Sequence, residues 1–171
     1  MSKAGLMTAG AAAMMALQPV AATAAVGPDA AACRARSGRT ALIVNVRGFR
    51  TRTGNLRVAA YGSDPADFLA RGRWVRRIDL PVARSGPMPV CVALPRPGRY
   101  AIAVRHDENG DGHSDWGDGG GFSRNPALAF PNPRPTHAQA AINVPSGVHG
   151  TDIVLNYRTG LHIGPVTGGG R

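Results

Sequence analysis

The sequence predicts an all-β protein, a two-sheet antiparallel β-sandwich of about seven strands with one short helix. Three observations predict it. Apolar residues recur at every second position in short runs, as on strands with one buried face. Glycine and proline, 23 and 14 of 171 residues, punctuate those runs. No stretch holds a 3.6-residue period long enough for a substantial helix.

The first strand starts at Thr40, with Leu42, Val44 and Val46 on one face and Ile43, Asn45 and Arg47 on the other. Gly48 to Gly54, rich in Arg and Thr, reads as a hairpin turn, after which Leu56, Val58 and Ala60 repeat the alternation up to Tyr61. The single helical signal spans 64–72: Asp64 caps, Pro65 takes the first position, Phe68 and Leu69 bury, and Gly72 stops it. A strand over 74–82 places Trp74, Ile78 and Leu80 on one side and Arg77 and Asp79 on the other. Val90, Val92 and Leu94 form the next inward face, with Cys91 pointing away. Pro87 and Pro89 lack the N–H that a ladder needs, so this strand begins at a sheet edge. Pro95 to Arg99 turns the chain into a strand whose Tyr100, Ile102 and Val104 face the core, the tyrosine hydroxyl being within reach of nearby backbone. Residues 119–137 carry too much Gly and Pro for regular structure. Strands over 138–144 and 151–157 complete the sandwich, which is immunoglobulin-like in outline.

The chain divides into a leader (1–25), an N-terminal segment carrying Cys33 (26–39), the sandwich (40–158) and a flexible tail (159–171). A positive start at Lys3, an apolar run over 4–17 and Ala22-Thr23-Ala24-Ala25 read as a secretory signal peptide cleaved near Ala24 or Ala25. The expected address is the periplasm or the extracellular space. No later run is long enough to span a membrane as a helix. In an oxidising compartment Cys33 and Cys91 are expected to form one disulfide, a lipid-bearing Cys33 being the rival. Without Lys3, the only lysine, 19 arginines face 10 acidic residues, a formal charge of +9. Such charge suits an anionic envelope surface or polysaccharide. It binds nucleic acid nonspecifically at low salt, but export argues against nucleic acid as the natural partner.

The acidic residues concentrate: Asp107, Glu108, Asp111, Asp115 and Asp118 fall within twelve positions. Counted from Asp107, the loop offers Asp107, Asn109 and Asp111 at positions 1, 3 and 5, Gly112 at the bend, and the His113 carbonyl at 7. Asp115 and Asp118 follow at 9 and 12. That is the oxygen spacing of a calcium loop. Against it stand a preceding strand instead of a helix, and an aspartate where a longer glutamate usually closes the site. A metal-free Asx turn accounts for the same residues, and a transition metal on His106 or His113 is a further alternative. Calcium would tie the loop to residues 119–137 and fix Trp116 and Phe122, with Ser123, Arg124 and Asn125, as a binding loop; loop packing is the other explanation for both aromatics.

Catalytic motifs are missing: there is no H-E-x-x-H, no P-loop and no C-x-x-C, and Gly121-Phe122-Ser123 lacks the second glycine of a nucleophile elbow. A hydrolase would need Ser123 beside His106. The expected protein is thus a non-catalytic binding or structural module carrying a calcium loop over 107–118. The alternative is a metal-free envelope protein that binds anionic polymers through arginine-rich faces.

Five segments together resemble a known family: G-N-L-R-V-A-A-Y (54–61), D-F-L (67–69), L-P-R-P-G-R-Y-A-I-A-V-R-H-D-E-N-G-D-G (94–112), G-F-S-R-N-P (121–126) and I-V-L-N-Y (153–157). The chain resembles the bacterial domain-of-unknown-function family 2141, small exported proteins, over about residues 40–158. H-D-E-N-G-x-G with G-F-S-x-N is the most specific part. The resemblance implies a compact β-sandwich and implies no biochemical role. A weaker likeness, through P-G-x-Y, is to prealbumin-like (transthyretin-type) sandwiches, and a shared fold does not carry function.

Overall fold

A computed structural model describes residues 24–166, so the expected leader up to residue 23 and the tail beyond 166 lie outside the described residues. Ten strands are present among them: β1 (Ala41–Arg47), β2 (Asn55–Tyr61), β3 (Arg76–Pro81), β4 (Met88–Ala93), β5 (Gly98–Asp107), β6 (Gly119–Phe122), β7 (Ala141–Val144), β8 (Val148–Val154), β9 (Tyr157–Thr159) and β10 (His162–Gly164). One sheet has the order β4-β1-β8; the other runs β3-β2-β5-β6, with β7 beside β6 along the same edge of β5. β9 and β10 form a separate hairpin.

The two sheets enclose one core, as period-2 alternation requires. Leu42, Val44 and Val46 of β1, Val90 and Val92 of β4 and Ile153 of β8 meet Leu56, Val58, Ile78, Ile102 and Val104 of the larger sheet. Tyr100 is buried and its hydroxyl donates to the Arg96 carbonyl at 2.8 Å, closing the turn that precedes β5 as expected. Cys91 points out of the core and bonds Cys33, so the disulfide staples the N-terminal segment to the outside of β4. That segment also covers the open edge of β4, where Val26 and Pro89–Cys91 exchange backbone hydrogen bonds at 2.7 and 3.0 Å. Asp29 accepts from Arg76 Nε and Nη2 at 2.8 and 2.6 Å and from the Ala93 N–H at 2.9 Å. Burial alone would raise the Asp29 carboxyl, yet these bonds hold it below the usual carboxylate range.

Several expected elements differ. Residues 48–54 join the two sheets rather than closing a hairpin, because β1 and β2 belong to different sheets. The β1–β8 pair is parallel, against the all-antiparallel expectation. The helix expected over 64–72 is one 3-10 turn, Pro65–Asp67, capped by Asp64 as expected. The α-helix lies instead at His137–Ala140 (α1), where a strand was expected to start; Thr136 and Gln139 cap it reciprocally. Trp74 lies outside β3 and packs under the Arg77 guanidinium, 5.2 Å from its ring centroid, instead of joining Ile78 in the core. Gly119–Phe122, thought too glycine-rich for regular structure, pairs with Ala103 to His106 as β6. Residues 157–164 form a hairpin where a tail was expected from 159.

Candidate functional site

β5 delivers the chain into the acidic loop with Arg105 and Asp107 on its outer face and His106 inward. Asp107 is 3% exposed and its two oxygens accept the N–H groups of Gly110 (2.9 Å) and Gly112 (3.0 Å). Asn109 Oδ1 accepts from Asp111 N, Asp111 from His113 N, and Asp115 from Gly117 N, at 3.2, 2.7 and 2.6 Å. These are Asx turns, carboxylates and amides bonding the backbone two residues on. The His113 bond in particular holds the Asp111 carboxyl below its ordinary range. Glu108 turns away to Arg50 and Thr51. Asp118 is pushed up, first by burial and then by the charges of Asp115 and Asp107. No three His, Cys, Asp or Glu side chains among the described residues gather as a metal-binding group. Oxygens of the expected donors Asp107, Asn109, Asp111 and Asp115 instead accept N–H groups of the loop's own backbone, Asp118 faces Arg105 Nε at 3.8 Å, and the sixth expected donor is the His113 carbonyl. These backbone bonds are the ones a metal-free Asx turn makes.

The motif histidine and serine serve the architecture. His106 is 0% exposed, with Nδ1 2.7 Å from the Tyr157 hydroxyl and Nε2 2.9 Å from the Thr53 carbonyl. It therefore ties β5 to β9 and to the 48–54 connection. Ser123 is likewise fully buried; its Oγ accepts the Ile102 N–H at 2.9 Å and donates to the Ala140 carbonyl. Ser123 sits across from Ile102, four residues or roughly 13 Å along β5 from His106. The His106–Ser123 pair that a hydrolase would need does not form.

Of the residues expected in a binding loop, Phe122 is buried against Ala101 and Ala140, and Ser123 is internal. Arg124 donates to the Ala138 carbonyl at 3.0 Å. Asn125 bridges to β8, its amide donating to the Asp152 carbonyl (2.9 Å) and its oxygen accepting the Val154 N–H (2.8 Å). Arg124 and Asn125 are exposed but bound to neighbouring backbone, whereas Trp116, 52% exposed, is the exposed aromatic of the five.

Trp116 stands at one wall of an open groove of about 840 Å³ on the outer face of the five-stranded sheet. Arg57, Ala59, Ala103 and Arg105 supply its floor from β2 and β5, and Trp74 with Arg77 its far wall. Six arginines line it against two aspartates. Arg57 and Arg77 share Asp79 at 2.7 and 2.6 Å. Arg71, Arg134 and Arg158 have no acidic partner among the described residues. The Arg158 guanidinium rests 4.8 Å from the Trp116 ring centroid and 5.5 Å from that of Phe130, and its Nε donates to the Gly160 carbonyl at 2.7 Å. Its two terminal nitrogens make no hydrogen bond among the described residues, which leaves a fork of donors at the groove mouth. Trp74 and the arginine excess are visible in the sequence but the groove is not, because its lining comes from six separate stretches. No curated protein and no solved structure matches the chain. The model of a family described as an uncharacterized protein conserved in bacteria, DUF2141, matches residues 44–151, well over half of the sequence, and the chain belongs to that family.

Proposed function

We propose that this protein is an exported, non-catalytic binding module that takes an acidic polysaccharide of the cell envelope in the groove on the outer face of its five-stranded sheet. One observation carries the reading: the groove combines aromatic faces (Trp74, Trp116) with arginines that have no acidic partner, Arg71, Arg134 and Arg158. A planar guanidinium grips a carboxylate through two parallel N–H donors, and an indole face stacks on the apolar face of a sugar ring. The formal charge of +9 after loss of the leader draws a polyanion from a distance and makes the encounter salt-dependent. The leader read from the sequence supports export. The calcium-dependent form of this reading is not the one favoured, since the loop's oxygens are engaged by its own backbone.

Retention of the protein lacking residues 1–25 on immobilised polygalacturonate, with neutral dextran as the comparison, tests the proposal. Retention should fall as salt rises and should drop sharply in R134A/R158A, while R36A/R39A, with the same charge loss on the N-terminal segment, stays near wild type. Equal losses in the two double variants would mean that net charge alone binds, and that the groove has no part in it.

A further inference from the structure

We infer that Arg105 is the built-in cation of the acidic loop, its guanidinium standing where the loop's spacing would place a divalent ion. Strand geometry sets this up. Arg105 and Asp107 are two residues apart on β5 and share its outer face, so the long side chain runs alongside the first acid of the loop. Its Nη2 lies 3.0 Å from the Gly112 carbonyl and 3.3 Å from Asp107 Oδ2, while Nε lies 3.8 Å from Asp118 Oδ2. One positive group thus touches the first carboxylate, the bend and the last carboxylate of a twelve-residue loop. The site is sheltered: the side chains of Arg105, Asp107 and Asp118 are 15%, 4% and 6% exposed.

The charge balance supports the same assignment. Two sheltered carboxylates face one guanidinium; burial first, and then the charges of Asp115 and Asp107, push the Asp118 carboxyl upward, while Arg105 pulls it down. The buried Nε finds no hydrogen-bond acceptor among the described residues and contributes through charge toward Asp118. A guanidinium differs from a calcium ion in that it is covalently supplied, so the loop closes without any ion in solution. Arg105 is then a positioning residue: it keeps the loop, and with it Trp116, at the wall of the groove. This inference does not depend on what the groove binds.

Thermal unfolding of the protein lacking residues 1–25, with no polysaccharide present, tests it. The set is wild type, R105Q, D118N and R105Q/D118N, each in excess calcium and in EDTA. Wild type should melt at the same temperature in both. R105Q should melt about 5–10 °C lower, because it leaves two sheltered carboxylates without a counter-charge. In the D118N background the same substitution should cost less than half as much, since one of those carboxylates is gone. R105K, which keeps the charge but not the fork, should fall between wild type and R105Q, and R105K/D118N replaces the double variant if R105Q does not fold. Additive losses would reduce Arg105 to packing, and a rise of the wild-type midpoint in calcium would show that the loop takes a metal after all. Either result overturns the inference.

Discussion

Replacing Tyr157 by phenylalanine removes the one oxygen that bonds both the buried His106 ring and the Arg50 N–H. The Thr53 carbonyl can only accept, so His106 Nε2, 2.9 Å away, carries the ring proton. Nδ1 then accepts from the Tyr157 hydroxyl at 2.7 Å, and the phenolic oxygen accepts the Arg50 N–H at 3.1 Å. With Tyr157 only 2% exposed, burial pushes its pKa up to about 12, against the pull of the Arg50 N–H. The sign of the pH dependence follows. An unfolded tyrosine ionises near pH 10, whereas the folded one keeps its proton to about 12. The stabilisation is complete below about pH 10 and is lost as pH rises from there to about 12. A two-unit displacement sets a ceiling of about 2–3 kcal/mol over that window. In Y157F, His106 Nδ1 and the Arg50 N–H lose their partner, costing about 1–3 kcal/mol at neutral pH. Guanidinium chloride unfolding at a series of pH values up to 12 reads both effects. Wild type should start higher and decline steeply above pH 10; Y157F should start lower and decline gently, the residual slope coming from Tyr61, which burial also raises. Parallel declines would mean that the Tyr157 hydroxyl is not held as described, and the His106 tautomer argument would go with it.

Three further substitutions read the architecture. In the Gly119-Gly120-Gly121 run, alanine at 119 would strike the Tyr157 ring, and at 121 it would sit 2.7 Å from Ile153 Cγ2 and 2.8 Å from the Val154 carbonyl oxygen; at 120 it would meet nothing within 4 Å. G120A should therefore express and melt like wild type, while G119A and G121A lose about 2 kcal/mol or more in urea unfolding. N125A forfeits both bonds to β8 and places alanine at a φ of 46°, so a loss of about 2 kcal/mol at unchanged m-value is expected. C33S/C91S opens a loop of 58 residues' separation and should lower stability by about 4 kcal/mol in the chain-entropy account, measured by thermal melts of the variant against the oxidised protein.

The faces of β1, β4 and β5 were legible because a buried strand face imposes alternation, and Leu42, Val90 and Ile102 obey it. The disulfide was legible for a similar reason, Cys91 falling on the face opposite Val90 and Val92. Strand direction was not legible: alternation reads the same both ways, so nothing marked β8 as parallel to β1. Neighbour identity was hidden too, since Arg and Thr between Gly48 and Gly54 suit a crossing between sheets as well as a hairpin. β6 escaped because glycine carries no face to read; its glycines are there to admit Tyr157 and Ile153 against the backbone. The Thr136–Gln139 capping box was present in the sequence and marks α1, four residues too short to show a period. In the acidic loop, spacing described the oxygens correctly but not what they face. Arg105 stands two residues before Asp107, and its place on the same strand face is what puts it against the loop. Ser123 and Asn125 look like a loop motif because they are polar, yet both satisfy backbone groups of neighbouring strands.

The groove is tested most directly by titrating the protein with oligogalacturonate while following tryptophan emission, in wild type, W116F and R158A. The proposed function predicts a saturable change in wild type that weakens with salt, is largely lost in W116F, and needs roughly tenfold more ligand in R158A, the loss expected for one charged bidentate contact. An unchanged emission at low salt, or an R158A curve that overlays wild type, would contradict it.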